Sequence, residues 1–182
     1  VPFFQRAYVW DEPNWDRYLE DMERIQREQQ NYFLGSVILK QNPTPSGSKI
    51  GDSRIIVDGQ QRLTTTVLFF KVLCSKHEED ALLKRTFFDM TDRICLKHNH
   101  NDVEVFDAIV TDQLTDAVLK KYPNNQVLAA FNYFKAHEDQ LAEISPFTLL
   151  NNIYFVGIDL MATEDEQQIF DTINSLGVSL ST

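Results

Sequence analysis

The chain has 182 residues, of which 43% are hydrophobic, and a formal net charge of -10. That composition is ample for the core of one globular domain, and no apolar run approaches the roughly 18 residues that a membrane-spanning helix needs. Residues 1–73 carry 9 Lys and Arg against 9 Asp and Glu, whereas residues 74–182 carry 8 against 18, which excludes a broad basic DNA-binding face in the second part. Any nucleic-acid contact is therefore expected within the first 73 residues.

The two cysteines and the chain ends bear on location and completeness. Cys74 and Cys95 form neither a disulfide framework nor a Cys-x-x-Cys pair, which suits a reducing compartment. With no basic-then-apolar leader at the start, we expect a cytoplasmic protein without a membrane partner. The chain starts at Val1 without methionine and stops at Thr182 just after a turn-like stretch, so we expect a piece of a longer protein.

The first part of the chain predicts an extended segment, a helix and a strand, in that order. The aromatic-rich start after Pro2 indicates extended chain as far as Trp10. Asp11 is placed to cap a helix that begins near Pro13, and apolar residues recur after it at helical spacing. These residues are Trp15, Leu19, Met22 and Ile25. The run NYFLGSVILK then predicts a strand, and QNPTPSGSKIGDS, rich in Pro, Gly and Ser, predicts a loop.

A second strand, RIIVD, leads into a mostly apolar helix over residues 64–74, which is the pattern of a buried helix. Beyond it the patterns predict helices over EEDALLKRTFFDM, NDVEVFDAIVTDQL and NNQVLAAFNYFKAHEDQLAEI, the last a single long helix, with a short strand over DRICLKH. NNIYFVGIDLM predicts a buried strand, and TEDEQQIFDTINSLG predicts a helix capped by Thr163 and Glu166 and followed by Gly177. The order predicts a single α+β domain over residues 1–182, with a mostly helical elaboration at 75–150.

The junction VDGQQRL carries the first candidate site. A strand that ends at Asp58 and Gly59 and a helix that begins near Gln60 leave backbone N–H groups unpaired, an arrangement that suits a phosphate. Gly59 lets the backbone approach the anion, and Arg62 adds the charge without which a helix dipole of about 0.3 to 1 kcal/mol cannot define a site. Gln60 and Gln61 could orient a water or a base edge, and Asp58 could hold a metal ion or position the arginine.

The same junction has a purely structural interpretation. Asp58 is a good helix cap, and it could pair with Arg62 four residues later for about 0.3 to 0.5 kcal/mol. A short match of this kind is weak by itself. Both interpretations stay open on the motif alone.

The stretch FFQRAYVW supplies a second candidate wall. Gln5 and Arg6 offer amide and guanidinium donors, and Tyr8 and Trp10 offer faces on which a base can stack. In an extended chain Gln5 and Arg6 point to opposite sides, so both reach one pocket only where the strand bends or bulges. The alternative is that the aromatic residues belong to the core and that Arg6 lies on the surface.

Four motifs together carry a resemblance. They are PFFQRAYVW at 2–10, YFLGSVIL at 32–39, VDGQQRLTT at 57–65 and IFDTINSLGVSLS at 169–181. In this order and spacing they resemble the N-terminal domain of GmrSD-type, modification-dependent restriction endonucleases, and the resemblance spans essentially the whole chain. It implies a ParB- and sulfiredoxin-like fold, that is, a mixed-sheet core with a helical insertion.

The resemblance also implies a function and a set of site residues. Members commonly bind and hydrolyse nucleoside triphosphates with a divalent metal, Mg²⁺ or Ca²⁺, and couple this to recognition of modified phage DNA. DNA cleavage belongs to a downstream HNH-type nuclease domain, so that active site is not expected in this segment. The residues carried over for hydrolysis are Asp58, Gln60, Gln61 and Arg62. Those for nucleotide binding are Gly59, Arg62, Thr64, Gln5 and Arg6, those for DNA or base contact are Tyr8 and Trp10, and those for the rim of the site are Asn174 and Gly177.

Three apparent signals carry no weight. KHNHND spells H-N-H, but HNH nucleases take their name from residues spread over a larger motif. Cys95, His98 and His100 lack the second cluster that would complete a zinc site. The redox cysteine of sulfiredoxin is missing, since the cysteine nearest the motif is Cys74. Two other functions stay in view: a non-catalytic module that senses DNA modification through the FFQRAYVW wall, and a structural domain that only positions a nuclease.

Overall fold

The computed structural model describes residues 7–42, 53–98, 100–165, 168, 169 and 171. Within them the chain has the predicted α+β fold, with eight helices and three strands. In chain order the elements are α1 (Glu12–Glu28), β1 (Tyr32–Gln41), β2 (Arg54–Asp58), α2 (Gln60–Lys76), α3 (Asp80–Phe87), α4 (Val103–Val110), α5 (Asp116–Lys121), α6 (Gln126–Ala136), α7 (Glu138–Leu141), α8 (Pro146–Asn152) and β3 (Ile153–Leu160).

The chain divides into two compact units. A sheet unit comprises Val1–Gln5, Phe33–Gln60 and Phe155–Thr182, and a helical unit comprises Arg6–Tyr32 and Gln61–Tyr154. The division falls between Gln60 and Gln61, inside the DGQQR motif.

The sheet unit is built on three strands in the order β2-β1-β3. The two predicted strands β1 and β2 are confirmed and pair antiparallel, with a register shift between Ile38 and Leu39. A small apolar core lies on one face of the sheet, where residues from all three strands meet. Its buried members are Ile38, Val57 and Leu160, with Ile158 and Ile169 packed against them.

The strand β3 is confirmed, but the prediction that it is buried is wrong. Tyr154 and Val156 are 49% and 53% exposed, whereas Leu160 at the other end is buried. Among the described strands β3 lies at the edge of the sheet, so only its last residues meet the apolar core. An unbroken apolar run is typical of a strand covered on both faces, and here the run continues beyond the part that is covered.

The helical unit begins with α1, whose predicted cap and apolar face are confirmed. Asp11 is the N-cap residue, and its backbone N–H donates to Asn14 Oδ1 at 3.2 Å. The predicted apolar residues are buried together with Tyr18, which lies on the same face. That face packs against α6 and α8.

The helix α2 is the centre of the helical unit, and every residue from Thr64 to Cys74 is buried, as predicted. The Phe69 ring lies 5.4 Å from the rings of Tyr18 and Phe134 in edge-on contacts. Burial raises the pKa of the Cys74 thiol to about 11, which fits a core residue rather than a reactive one. None of the helices in the described ranges is both long and apolar enough to cross a membrane.

Two local predictions are wrong. DRICLKH forms no strand, since Ile94 makes only an isolated bridge to Phe88. The long helix predicted after Asn125 is interrupted at His137, whose Nδ1 lies 2.8 Å from the Tyr133 carbonyl oxygen. The short helices α5 and α8 were not predicted. Of the loop predicted over residues 41–53, residues 43–52 lie outside the described residues, as do Glu166 and Gly177 of the predicted last helix.

Candidate functional site

The turn between β2 and α2 is made possible by Gly59, whose φ of +94° is rarely adopted by residues with a side chain. A Cβ atom at this position would lie 3.0 Å from Val37 Cγ2 and 3.1 Å from the Ser36 carbonyl oxygen, both in β1. The close approach that glycine permits here is therefore to the neighbouring strand. Its effect is to let α2 begin one residue after β2 ends, which confirms the predicted strand-to-helix junction.

Gln61 connects the two motifs that carry the candidate site. Its Oε1 accepts hydrogen bonds from the backbone N–H groups of Val9 at 2.8 Å and Trp10 at 3.3 Å. Its Nε2 donates to the Ala7 carbonyl oxygen at 3.1 Å. The side chain thus binds the backbone of Ala7, Val9 and Trp10. Because both lone pairs of Oε1 are used, this oxygen has none left with which to orient a water.

Two further side chains hold the same stretch. The buried carboxylate of Asp102 accepts from the Tyr8 backbone N–H at 2.9 Å through Oδ2, and its Oδ1 accepts from Asn125 Nδ2 at 3.0 Å. Gln126 Nε2 donates to the Trp10 carbonyl oxygen at 2.9 Å. The sequence offers no local signal for this role, since an acid just before α4 is ordinary at a helix start.

Tyr8 is a core residue of the helical unit, only 3% exposed. Trp15 Nε1 donates to Tyr8 Oη at 2.9 Å, and Tyr8 Oη lies 2.6 Å from Thr65 Oγ1. Thr65 gives its own proton to the Gln61 carbonyl oxygen at 2.9 Å, so Tyr8 must donate to Thr65. Burial raises the pKa of Tyr8 to about 12. Its ring has no exposed face for a base, which leaves the half-buried Trp10 as the aromatic candidate of this wall.

Thr64 faces the interior of the helical unit and is fully buried. Its Oγ1 lies 2.8 Å from His98 Nε2, and the His98 ring stacks on Phe106 with centroids 3.9 Å apart. Burial lowers the pKa of His98 to about 4, so the imidazole is neutral at pH 7. The Thr64 hydroxyl, for which a nucleotide contact was predicted, thus lies in the core within hydrogen-bond distance of His98.

The Thr66 hydroxyl has the same pattern of hydrogen bonds as Thr65, with a tyrosine as donor and a backbone carbonyl oxygen one turn earlier as acceptor. Tyr18 Oη donates to Thr66 Oγ1 at 3.1 Å, and Thr66 donates to the Arg62 carbonyl oxygen at 2.8 Å. Burial raises the pKa of Tyr18. The backbone at the start of α2 is thereby fastened to the core of the helical unit through its own threonines.

The remaining predicted residues fall into two groups. Asp58, Gln60 and Arg62 are half-buried at the end of β2 and in the first turn of α2. The others lie outside the described residues; they are Gln5, Arg6, Asn174 and Gly177.

In the described part of the chain no group of three or more His, Cys, Asp and Glu side chains could hold a metal ion. The DGQQR motif offers one carboxylate, Asp58. Mg²⁺ is commonly held by one or two carboxylates together with substrate phosphates. The donor set therefore fits a metal that arrives with a nucleotide and does not fit a preformed metal cage.

The family model described as "GmrSD restriction endonuclease, N-terminal domain" matches residues 1–182. The chain belongs to this family. The GmrSD match confirms the resemblance carried by the four motifs, and it makes the chain the N-terminal domain of a restriction endonuclease. No curated protein matches the sequence.

Proposed function

We propose that this GmrSD N-terminal domain binds a nucleoside triphosphate, hydrolyses it and thereby regulates a nuclease that acts on modified phage DNA. The observation that carries the proposal is the junction itself, where α2 begins one residue after β2 and Arg62 lies in the first turn. Backbone N–H groups at such a helix start favour a phosphate. The helix dipole contributes about 0.3 to 1 kcal/mol and a charge-assisted bond from Arg62 roughly 1.5 to 3 kcal/mol.

The roles within the motif follow from side-chain chemistry. Arg62 neutralises the phosphates, and Gln60 orients the attacking water, since the Gln61 amide is engaged by backbone. Asp58 would hold Mg²⁺ or Ca²⁺, and the bound ion would supply charge neutralisation on the phosphate oxygens. Gln5 and Arg6, which lie outside the described residues, are proposed to supply amide and guanidinium donors to the nucleotide.

The binding step is tested by isothermal titration of the chain with ATP, GTP, CTP and UTP, each with Mg²⁺ and with Ca²⁺. We expect one of them to bind, and Arg62→Ala to weaken that binding by about tenfold or more because a charge-assisted bond is lost. Arg85→Ala, an exposed arginine in the last turn of α3, is the matched control and should bind as the wild type does. Absence of binding to the wild type, or equal binding by Arg62→Ala, contradicts the proposal.

The hydrolysis step is tested by phosphate release with the nucleotide that binds. Gln60→Ala should lower kcat by about 10² with little change in KM, as expected when a group acts on the attacking water. Gln140→Ala, an exposed glutamine of α7, is the control. A raised KM with an unchanged kcat would assign Gln60 to binding alone.

A second candidate function is a DNA-sensing module without catalysis, and the arrangement of Trp10 favours it. The backbone of this residue is fixed by Gln61 at its N–H and by Gln126 at its carbonyl oxygen, while its ring is half-buried. Trp10→Ala should then abolish discrimination between modified and plain DNA without changing any nucleotide turnover that the chain shows. Unchanged discrimination rejects this function. Absence of both ligands would favour a domain that only positions a downstream HNH-type nuclease.

A further inference from the structure

We propose that Gln61 is a positioning residue: it couples the location of the segment Ala7–Trp10, named here the anchored segment, to phosphate binding at the first turn of α2. This inference rests on the proposed nucleotide function and deepens it. It assigns to one glutamine of the motif a role that its hydrogen bonds favour over water activation.

The first step is the way in which the anchored segment is held. It has no regular secondary structure, yet five of its backbone groups are bound by side chains: the Ala7 and Trp10 carbonyl oxygens and the N–H groups of Tyr8, Val9 and Trp10. Backbone polar groups of a non-regular segment need such partners or water. In this segment, therefore, side chains supply the backbone hydrogen bonds that a neighbouring strand supplies in a sheet.

The second step is the origin of those side chains. Asp102 precedes α4 and Gln126 begins α6, so both belong to the body of the helical unit. Gln61 differs because it lies in the first turn of α2, next to Arg62. A change in that turn when a phosphate binds reaches the anchored segment through Gln61, while Asp102 and Gln126 hold the other points fixed.

The third step is the identity of the residue that phosphate binding affects through Gln61. The anchored segment contains Trp10, whose ring is half-buried. Gln61 thus connects the phosphate-binding turn with an aromatic residue suited to sensing a base.

The anchoring is tested by amide hydrogen exchange measured by NMR. In Gln61→Ala we expect exchange at the Val9 and Trp10 N–H groups to become roughly three- to tenfold faster, since each loses its acceptor, whereas the Tyr8 N–H keeps Asp102 and changes little. Gln61→Glu keeps an acceptor oxygen for Val9 and Trp10 but loses the donor to the Ala7 carbonyl oxygen, so exchange at the two N–H groups should fall between that of the wild type and that of Gln61→Ala. Equal exchange in wild type and Gln61→Ala, or uniform acceleration at all three N–H groups, overturns the positioning role. Gln140→Ala serves as the control.

The coupling is tested with Trp10 fluorescence, assigned by comparison with Trp10→Phe, in titrations with ATP, GTP, CTP and UTP plus Mg²⁺. The nucleotide that binds should change Trp10 emission in the wild type. In Gln61→Ala the same nucleotide should still bind by calorimetry, about fivefold or more weakly, without that emission change. An unchanged wild-type emission despite binding, or an equal change in Gln61→Ala, overturns the coupling. If no nucleotide binds, the proposed function and the coupling both fall, while the exchange pattern still decides whether Gln61 holds the segment.

Discussion

Gly59 is the residue whose substitution has the most direct structural cost. Gly59→Ala should lower the free energy of unfolding by about 1 to 3 kcal/mol, because the backbone has a φ of +94° and the new Cβ would lie 3.0 Å from Val37 Cγ2. Urea unfolding measures the loss. Gly157→Ala is the matched control, since a Cβ there meets nothing within 4 Å and should leave stability nearly unchanged. Equal midpoints for the two variants would contradict the contact with β1.

His98 makes the free energy of unfolding depend on pH. Its pKa is lowered by burial to about 4, so it stays neutral in the folded state while the unfolded chain takes up a proton near pH 6.5. The stability that neutral His98 contributes is fully present above pH 6.5. As the pH falls toward 4, the free energy of unfolding drops by up to about 3 kcal/mol. Urea unfolding from pH 7 to 4 should show a steeper loss in the wild type than in His98→Gln. His100→Gln, at an exposed position, should follow the wild type.

At the scale of the element, the donor chain from Trp15 through Tyr8 to Thr65 ties α1 and the anchored segment to α2. Thr65→Val keeps the shape but removes the acceptor of the buried Tyr8 hydroxyl, and should cost about 1 to 3 kcal/mol in the free energy of unfolding. A double-mutant cycle with Tyr8→Phe should give a coupling energy of about 0.5 kcal/mol or more. Strict additivity would show that the two hydroxyls do not interact.

The elements that could be predicted are those whose pattern is long and local. α1 has a cap at Asp11 and a regular apolar face, and α2 is a long apolar run, so both were predicted close to their observed bounds. The interruption at His137 involves neither Gly nor Pro, which are the residues that mark helix ends in a sequence. The exposure of β3 depends on its position at the edge of the sheet, and an apolar run in the sequence does not indicate whether a strand is central or at an edge.

At the scale of the whole molecule, the distribution of charge limits DNA binding. The excess of acid lies in residues 74–182, with 18 Asp and Glu against 8 Lys and Arg. We expect this chain alone to bind plain duplex DNA weakly, with a slope of log K against log salt no steeper than about -3, since few phosphates can be neutralised. Fluorescence anisotropy between 50 and 200 mM NaCl (roughly the range over which phosphate contacts are lost) measures this slope. A steep slope would contradict this expectation and reveal a basic surface formed by the first 73 residues.

The candidate site was predictable only in its residue types. The motifs locate DGQQR and FFQRAYVW along the chain, and the chain belongs to the family whose motifs they resemble. The anchors could not be found in the same way, because Tyr8 and Asp102 are 94 residues apart and Trp10 and Gln126 are 116 apart. Side-chain bonds to backbone need only one amide or carboxylate at the right place in space, so they leave no repeating pattern in the sequence. The burial of Tyr8 and Thr64 could not be predicted either, because their partners are also distant in the sequence.

The three consecutive threonines of α2 have a consequence for the angle at which this helix is set. Successive residues of an α-helix point about 100° apart, so Thr64, Thr65 and Thr66 reach partners in three directions: His98, Tyr8 and Tyr18. Apolar neighbours tolerate a helix turned about its axis, but a turn of one residue would leave three buried hydroxyls facing the wrong groups. The three threonines therefore fix the rotation of α2 about its own axis. That rotation sets the direction in which the side chains of Gln61 and Arg62, one turn earlier, point.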